Sequence, residues 1–234
     1  MARWVYDHAA KRDLFASIDI HNNTGLNPHY TVVNRLDPHT LRLALLLSRT
    51  VVWFRGPPGS QTGAFSGICP SVAAECGKPG NPANEAAAAR FIEACLHLAE
   101  FPAHPVAEQD IDLYHTLALV KVAPTADFGF GDAQASVNFD PQLDHQNFVE
   151  LDAGASFGQT RLPQPLEAWD EANHDAAAAL FDTSDGQIRL RRPAMPAMLT
   201  LDARVVRQDC LCYLMERVPF ERVREAGSLM QELN

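Results

Sequence analysis

The 234-residue chain predicts an α/β fold, a mixed and mostly parallel sheet flanked by helices, followed by a small β-rich domain. Three observations predict it. Apolar β-branched runs alternate with helical patterns up to residue 105, the Pro-bounded segment Pro102-Ala-His-Pro105 interrupts the chain there, and the apolar period beyond it turns to two. Charge changes at the same place: residues 1–105 carry 9 Lys+Arg against 8 Asp+Glu, and residues 106–234 carry 10 against 21. The expected domains are therefore 1–105 and 106–234.

The elements follow in order. Residues 2–13 suit a short helix, and Leu14 to Ile20 form a mostly apolar strand that ends at His21. Tyr30 to Asn34 and Thr50 to Phe54 read as strands around a helical run from Leu41 to Ser48, and Ser71 to Glu75 is a further short strand. A longer helix starts at Asn81-Pro82, where Asn81 can cap, Pro82 suits the first turn and Glu85 complements the dipole. It is expected to run to about Phe101 with Ala88, Ile92, Cys95, Leu96 and Ala99 as its apolar stripe. Beyond Pro105, Leu113 to Val122, Ala135 to Phe139, Gln187 to Leu190 and Arg204 to Leu214 read as strands, with Ala168 to Phe181 as the one helical interruption.

Composition excludes several classes. A net charge of −10 argues against a nucleic-acid partner. No apolar run reaches the roughly 18 residues of a membrane span, and the N-terminus lacks the apolar core of a secretory signal, so the expected compartment is the cytoplasm. Five cysteines at irregular spacing form neither a disulfide framework nor a zinc-finger pattern.

Two stretches carry chemistry. In Ile18-Asp-Ile-His-Asn-Asn-Thr24 an apolar strand delivers Asp19 and His21 on one face and then breaks into polar loop. A His at a strand's carboxyl end, oriented by a neighbouring carboxylate, suits a metal ligand with Asp19 as its supporting partner. In Cys69-Pro-Ser-Val-Ala-Ala-Glu75 a second short strand ends on a carboxylate, where such sheets present their sites, and Glu75 suits a general base. Taken singly, each has a bland reading: a structural histidine, and a rim glutamate paired with Lys78.

Together the stretches resemble the succinylglutamate desuccinylase and aspartoacylase family of the zinc carboxypeptidase superfamily. Asp19-Ile-His21-Asn22-Asn23-Thr24 is similar to the segment bearing that family's third zinc ligand, and Ala74-Glu75-Cys76-Gly77 to the segment bearing its catalytic Glu. Glu75 follows His21 by 54 positions with a βαβ-like pattern between them, which also fits. The resemblance implies a zinc carboxypeptidase-like fold and a zinc-dependent hydrolase of an amide bond, with His21 on one zinc ion and Glu75 as base. The implied substrate is an N-acyl amino acid or short peptide with a free carboxylate. Asn22, Asn23 and Thr24 are the expected pocket groups, and Arg35 and Arg55 the available carboxylate clamps. No nucleic-acid or membrane partner is expected, and a homo-oligomer is compatible.

One departure matters. The family's first zinc ligands form a His-x-x-Glu motif well upstream of the Asp-x-His segment, and the 18 residues before Asp19 contain His8 but no such motif. The expectation is an N-terminally incomplete chain with weak or absent zinc; the alternative is a non-catalytic ligand-binding module that keeps the fold. His97-Leu-Ala-Glu100 matches the motif literally but follows Glu75 on the polar side of a helix, so it is rejected as the missing half. A thiol enzyme using Cys69 or Cys76 is a weaker rival, since neither has a neighbouring His in sequence.

Overall fold

The computed structural model describes residues 2–55, 60–102, 104–219 and 221. The chain forms two compact units, one of Met1–Asn22, His29–His115 and Arg217–Asn234, the other of Asn23–Pro28 and Thr116–Glu216. The division after the first sheet thus falls at Thr116 and not at Pro105. The reason is the strand that follows the Pro-bounded segment, whose first four residues pair with the first sheet.

The first unit contains α1 (Ala2–Ala9), β1 (Ser17–His21), β2 (Tyr30–Val33), α2 (Pro38–Leu45), β3 (Thr50–Trp53), α3 (Gln61–Phe65), β4 (Ser71–Glu75), α4 (Pro82–Leu96) and the start of β5 (Asp112–Val122). The strands lie in the order β1-β4-β2-β3-β5. Three of the pairings are parallel; β2 against β4 is antiparallel. One face carries Ile18, Val33, Val51, Val72, Ala74 and Leu113, which cluster with Leu41, Leu43 and Ala44 of α2 and Phe91 of α4. Because side chains alternate along a strand, the opposite face receives Asp19, His21, Ala73 and Glu75.

Local chemistry sets the helix limits. In α2, Asp37 accepts a hydrogen bond from the Thr40 amide at 3.0 Å and Pro38 occupies the first turn, so the helix begins earlier than the apolar run suggests. In α4, Asn81 accepts from the Ala83 amide at 3.0 Å, as its sequence predicts. This helix ends at Leu96 instead of near Phe101, and it is rotated from expectation. Phe91 is 1% exposed and Ala87 is buried with it, whereas Ile92 is 42% and Leu96 80% exposed. An aromatic ring has the largest apolar area to hide, so Phe91 decides which face turns inward.

The second unit holds the rest of β5 and then β6 (Phe128–Phe130), β7 (Val137–Phe139), β8 (Ser156–Thr160), β9 (Leu166–Trp169), α5 (Ala177–Leu180), β10 (Phe181–Asp182), β11 (Gln187–Leu190), β12 (Met195–Ala197), α6 (Ala203–Gln208) and all but the last residue of β13 (Cys212–Arg217). Its separate five-stranded sheet has the order β10-β11-β8-β7-β6. Its core includes Val137, Leu143, Phe157, Ile188, Leu199 and Leu214, all fully buried. Gly158 of β8 has φ +149°, and a Cβ there would meet the Asn138 carbonyl oxygen at 2.3 Å, so only glycine lets β7 and β8 approach.

Two expectations fail in this unit. Ala168 to Phe181 is not one helix: Leu166 and Ala168 point inward while Glu167 and Trp169 are half-buried, a strand pattern, and only Ala177–Leu180 is helical. Asp170 makes the turn between them by accepting from the Ala172 and His174 amides. Conversely, Ala203–Gln208 is a helix, because Asp202 caps it through the Arg204 amide, and the strand begins only at Cys212. All five cysteines are free thiols. No helix among the described residues is long and apolar enough to cross a membrane.

Candidate functional site

β1 and β4 run parallel and in register, Ser17 opposite Ser71 through to His21 opposite Glu75. Neighbouring strands lie about 4.8 Å apart and register partners point to the same side. The register therefore puts His21 and Glu75 side by side at the carboxyl ends of two adjacent strands, on the face that α2 and α4 leave uncovered. The strand ends are tied together by the Cys76 amide, which donates to the His21 carbonyl at 2.9 Å. Glu75 is only 8% exposed. His21 is open to solvent, with its side chain 48% exposed, and Asp19 is intermediate at 29%.

His21 Nε2 lies 3.0 Å from Asp19 Oδ2. Asp19 thus orients the ring through one nitrogen and leaves Nδ1 for another partner. Burial opposes protonation of the imidazole, but the Asp19 hydrogen bond and the charges of Asp19 and Glu75 outweigh it, so the His21 pKa is raised above 6.5. A raised pKa means that the pair's stabilising contribution is present below the ordinary value and is lost as pH rises through the raised one. Asp19→Asn removes both the charge and the strong acceptor while burial stays. The His21 ring, followed by NMR across the pH range, should then titrate at a lower pH than in the parent; an unchanged midpoint contradicts the assignment.

The loop after Glu75 is pinned by side chains remote in sequence. His29 Nε2 lies 2.9 Å from Asn84 Oδ1, and Asn84 Nδ2 donates to the Lys78 carbonyl at 2.9 Å. Tyr30, buried at the start of β2, sits opposite Glu75 in the antiparallel register. Sequence reasoning missed Tyr30 and Asn84 as parts of the site. Their only signal is long-range pairing, which no local pattern reveals.

The other expected residues divide. Asn22 follows His21 directly and is exposed. Asn23 and Thr24 belong to the second unit. There Asn23 is buried and accepts a hydrogen bond from Asn27 Nδ2 at 3.1 Å, while Thr24 is exposed. Gly25 leaves no room for a side chain, since a Cβ would meet the Leu199 carbonyl oxygen at 1.8 Å.

Arg35 and Arg55 are not brought to His21 and Glu75. Because β2 runs against β4, Val33 lies opposite Val72, near the start of β4, and it also lies opposite Trp53. Both arginines follow these residues and emerge at the far end of the sheet. There Arg35 Nη1 donates to the Ser66 carbonyl at 2.9 Å, and the Arg55 guanidinium stacks 4.6 Å from the Trp53 ring centroid.

His97 is the C-terminal cap of α4, its Nδ1 lying 2.8 Å from the Glu93 carbonyl, so His97-Leu-Ala-Glu100 follows the helix and does not lie on its polar face. Burial pushes the Cys69 and Cys76 thiols up, with the Glu75 charge adding to the effect at Cys76. That is the reverse of what a nucleophilic thiolate needs. Among the described residues, no group of three or more His, Cys, Asp or Glu side chains is arranged to hold a metal ion. A catalytic zinc ordinarily takes three protein ligands and a water, so the described residues do not by themselves fit one.

The sequence matches no protein-family model and no curated protein sequence. Solved structures do share the fold. Murine aminoacylase 3 aligns at 14% identity with a TM-score of 0.54, covering 92% of this chain and 68% of its own. The succinylglutamate desuccinylase of Chromobacterium violaceum aligns at 12% identity and 0.53, covering 93% and 60%. A succinylglutamate desuccinylase/aspartoacylase from Rhodobacter sphaeroides aligns at 16% and 0.54, covering 93% and 62%. The chain therefore has the fold of succinylglutamate desuccinylase and aspartoacylase structures and spans between 60% and 68% of the length of these three.

Proposed function

We propose that this chain is a member of the succinylglutamate desuccinylase/aspartoacylase family and carries the His21 and Glu75 half of an amide hydrolase site. The observation that supports this most is the in-register placement of His21 and Glu75 at the carboxyl ends of two adjacent parallel strands, with Asp19 on the imidazole. The shared fold supports it independently, because the neighbours include an aminoacylase and desuccinylases.

Glu75 acts as general base. Its largely buried carboxylate takes a proton from the water that attacks the amide carbonyl and returns that proton to the departing amine. Tyr30 is the register neighbour of Glu75 on β2. The substrate class is an N-acyl amino acid or a short peptide with a free carboxylate. Arg35 and Arg55 stand at the far end of the sheet, so the group that recognises this carboxylate lies elsewhere.

Were zinc bound in this reading, His21 would be one of its ligands and the metal would polarise the attacking water and the amide carbonyl; the described residues supply no cluster of three or more donors around it. Among the described residues β1 is the edge strand of its sheet, and Ile20 on it is exposed. Zinc affinity is built from several deprotonated ligands in preformed geometry. The 234-residue chain should therefore hold well under one zinc per molecule after dialysis, measured by elemental analysis. One tightly held zinc per chain would show that the donor set is larger than His21.

The activity itself is tested by amine release from a panel of N-acyl amino acids, using the intact gene product in zinc-containing buffer. Zinc-stimulated release is the expected result. A zinc-loaded preparation that binds these compounds without cleaving them would instead establish a binding module.

A further inference from the structure

The second unit contains a pocket of about 450 Å³ beside β9, away from the residues of the His21 and Glu75 site in sequence and in unit. Its walls include the apolar Pro163, Pro165 and Phe181 together with Glu167, Trp169 and Asp175. Glu167 and Trp169 are two apart on β9 and so point to the same side. Asp175 is the bridge partner of Trp169, which brings it back beside the ring.

The charges in the pocket are unevenly satisfied. Asp182 is paired with Arg191 at 3.0 Å. Asp175 uses one oxygen to accept from the Ala177 amide at 2.9 Å. Glu167 has no hydrogen bond or ion pair among the described residues, although Lys121 lies opposite it in register on β5. Trp169 likewise has no aromatic or cationic partner on its ring among the described residues. Three carboxylates against one guanidinium leave the walls net negative, and the Trp169 indole lines the same pocket.

We propose that this pocket binds a primary alkylammonium group carried on a short apolar stem. The ammonium sits over the indole of Trp169 and donates hydrogen bonds to Glu167 and to the free oxygen of Asp175. An indole face attracts a cation, and hydrogen bonds to ionised carboxylates are the strong ones. The stem lies against Pro163, Pro165 and Phe181, which a bare metal ion or a hydrated sodium would leave unused. An anionic ligand is repelled by the same walls.

The probe is n-butylammonium chloride, titrated into the intact protein while the indole N–H signal of Trp169 is followed by NMR. Sodium chloride at equal ionic strength controls for the charge, and n-butanol controls for the stem. The expected result is a saturable shift with n-butylammonium and none with either control. In Glu167→Gln the apparent affinity should fall by about tenfold, because a charged acceptor becomes a neutral one. Trp169 signals that move equally with sodium chloride or with n-butanol overturn the proposal. So does a Glu167→Gln protein that keeps its fold and the full affinity.

Discussion

Replacing Glu75 with Gln should lower amide hydrolysis by about 100- to 10,000-fold in any form of the protein that turns over N-acyl amino acids. The change keeps the size and the hydrogen-bonding shape of the side chain and removes its capacity to take a proton. Glu75 is largely buried between β1 and β2, so a neutral amide there should not open the sheet. The loss should therefore fall on kcat, with KM and zinc content near the parent values, as measured by steady-state kinetics and elemental analysis. A Gln variant that keeps parental turnover removes Glu75 as the base.

The second large effect is on stability. Phe91→Ala should cost about 3–5 kcal/mol by chemical denaturation, because it empties a ring-sized volume in the core that joins α4 to the sheet. Leu96→Ala, in the same helix and mostly exposed, should lie within about 0.5 kcal/mol of the parent. The contrast tests the rotation of α4 directly. Comparable losses at the two positions would show that Leu96 is covered and that the helix face is assigned wrongly.

That rotation marks what local pattern can and cannot convey. Counting apolar residues at helical spacing favoured a stripe through Ile92 and Leu96 on number, while the fold chose the face with the single largest ring. Signals that act within a few residues were legible. The β4 limits, the Asn81 cap with Pro82, and the strand that ends on His21 all lie where composition and spacing put them. The alternation of Asp19 and His21 on one strand and the position of Glu75 at the end of another were legible in the same way, whereas the adjacency of those two strands was not.

Strand direction was not legible. An apolar alternation reads the same for parallel and antiparallel neighbours, and the reversal of β2 against β4 sends Arg35 and Arg55 to the end opposite His21. The same reversal brings Tyr30 to Glu75, a juxtaposition with no trace in sequence spacing. In the second unit, Ala-rich composition after Ala168 imitated a helix, and the Asp170 turn that breaks it depends on hydrogen bonds to the Ala172 and His174 amides. The charge contrast between residues 1–105 and 106–234 follows the two units only broadly, because β5 begins in one and ends in the other.

The most direct test of the central claim is a zinc titration of the intact chain followed on its histidine ring signals. The His21 ring should move first among the nine histidines, with weak affinity, and Asp19→Asn should weaken that response further by releasing the ring from its orienting carboxylate. Zinc that binds at other histidines while the His21 signals stay still would contradict the assignment of His21 as a metal ligand, and with it the reading of β1 and β4 as half of a hydrolase site.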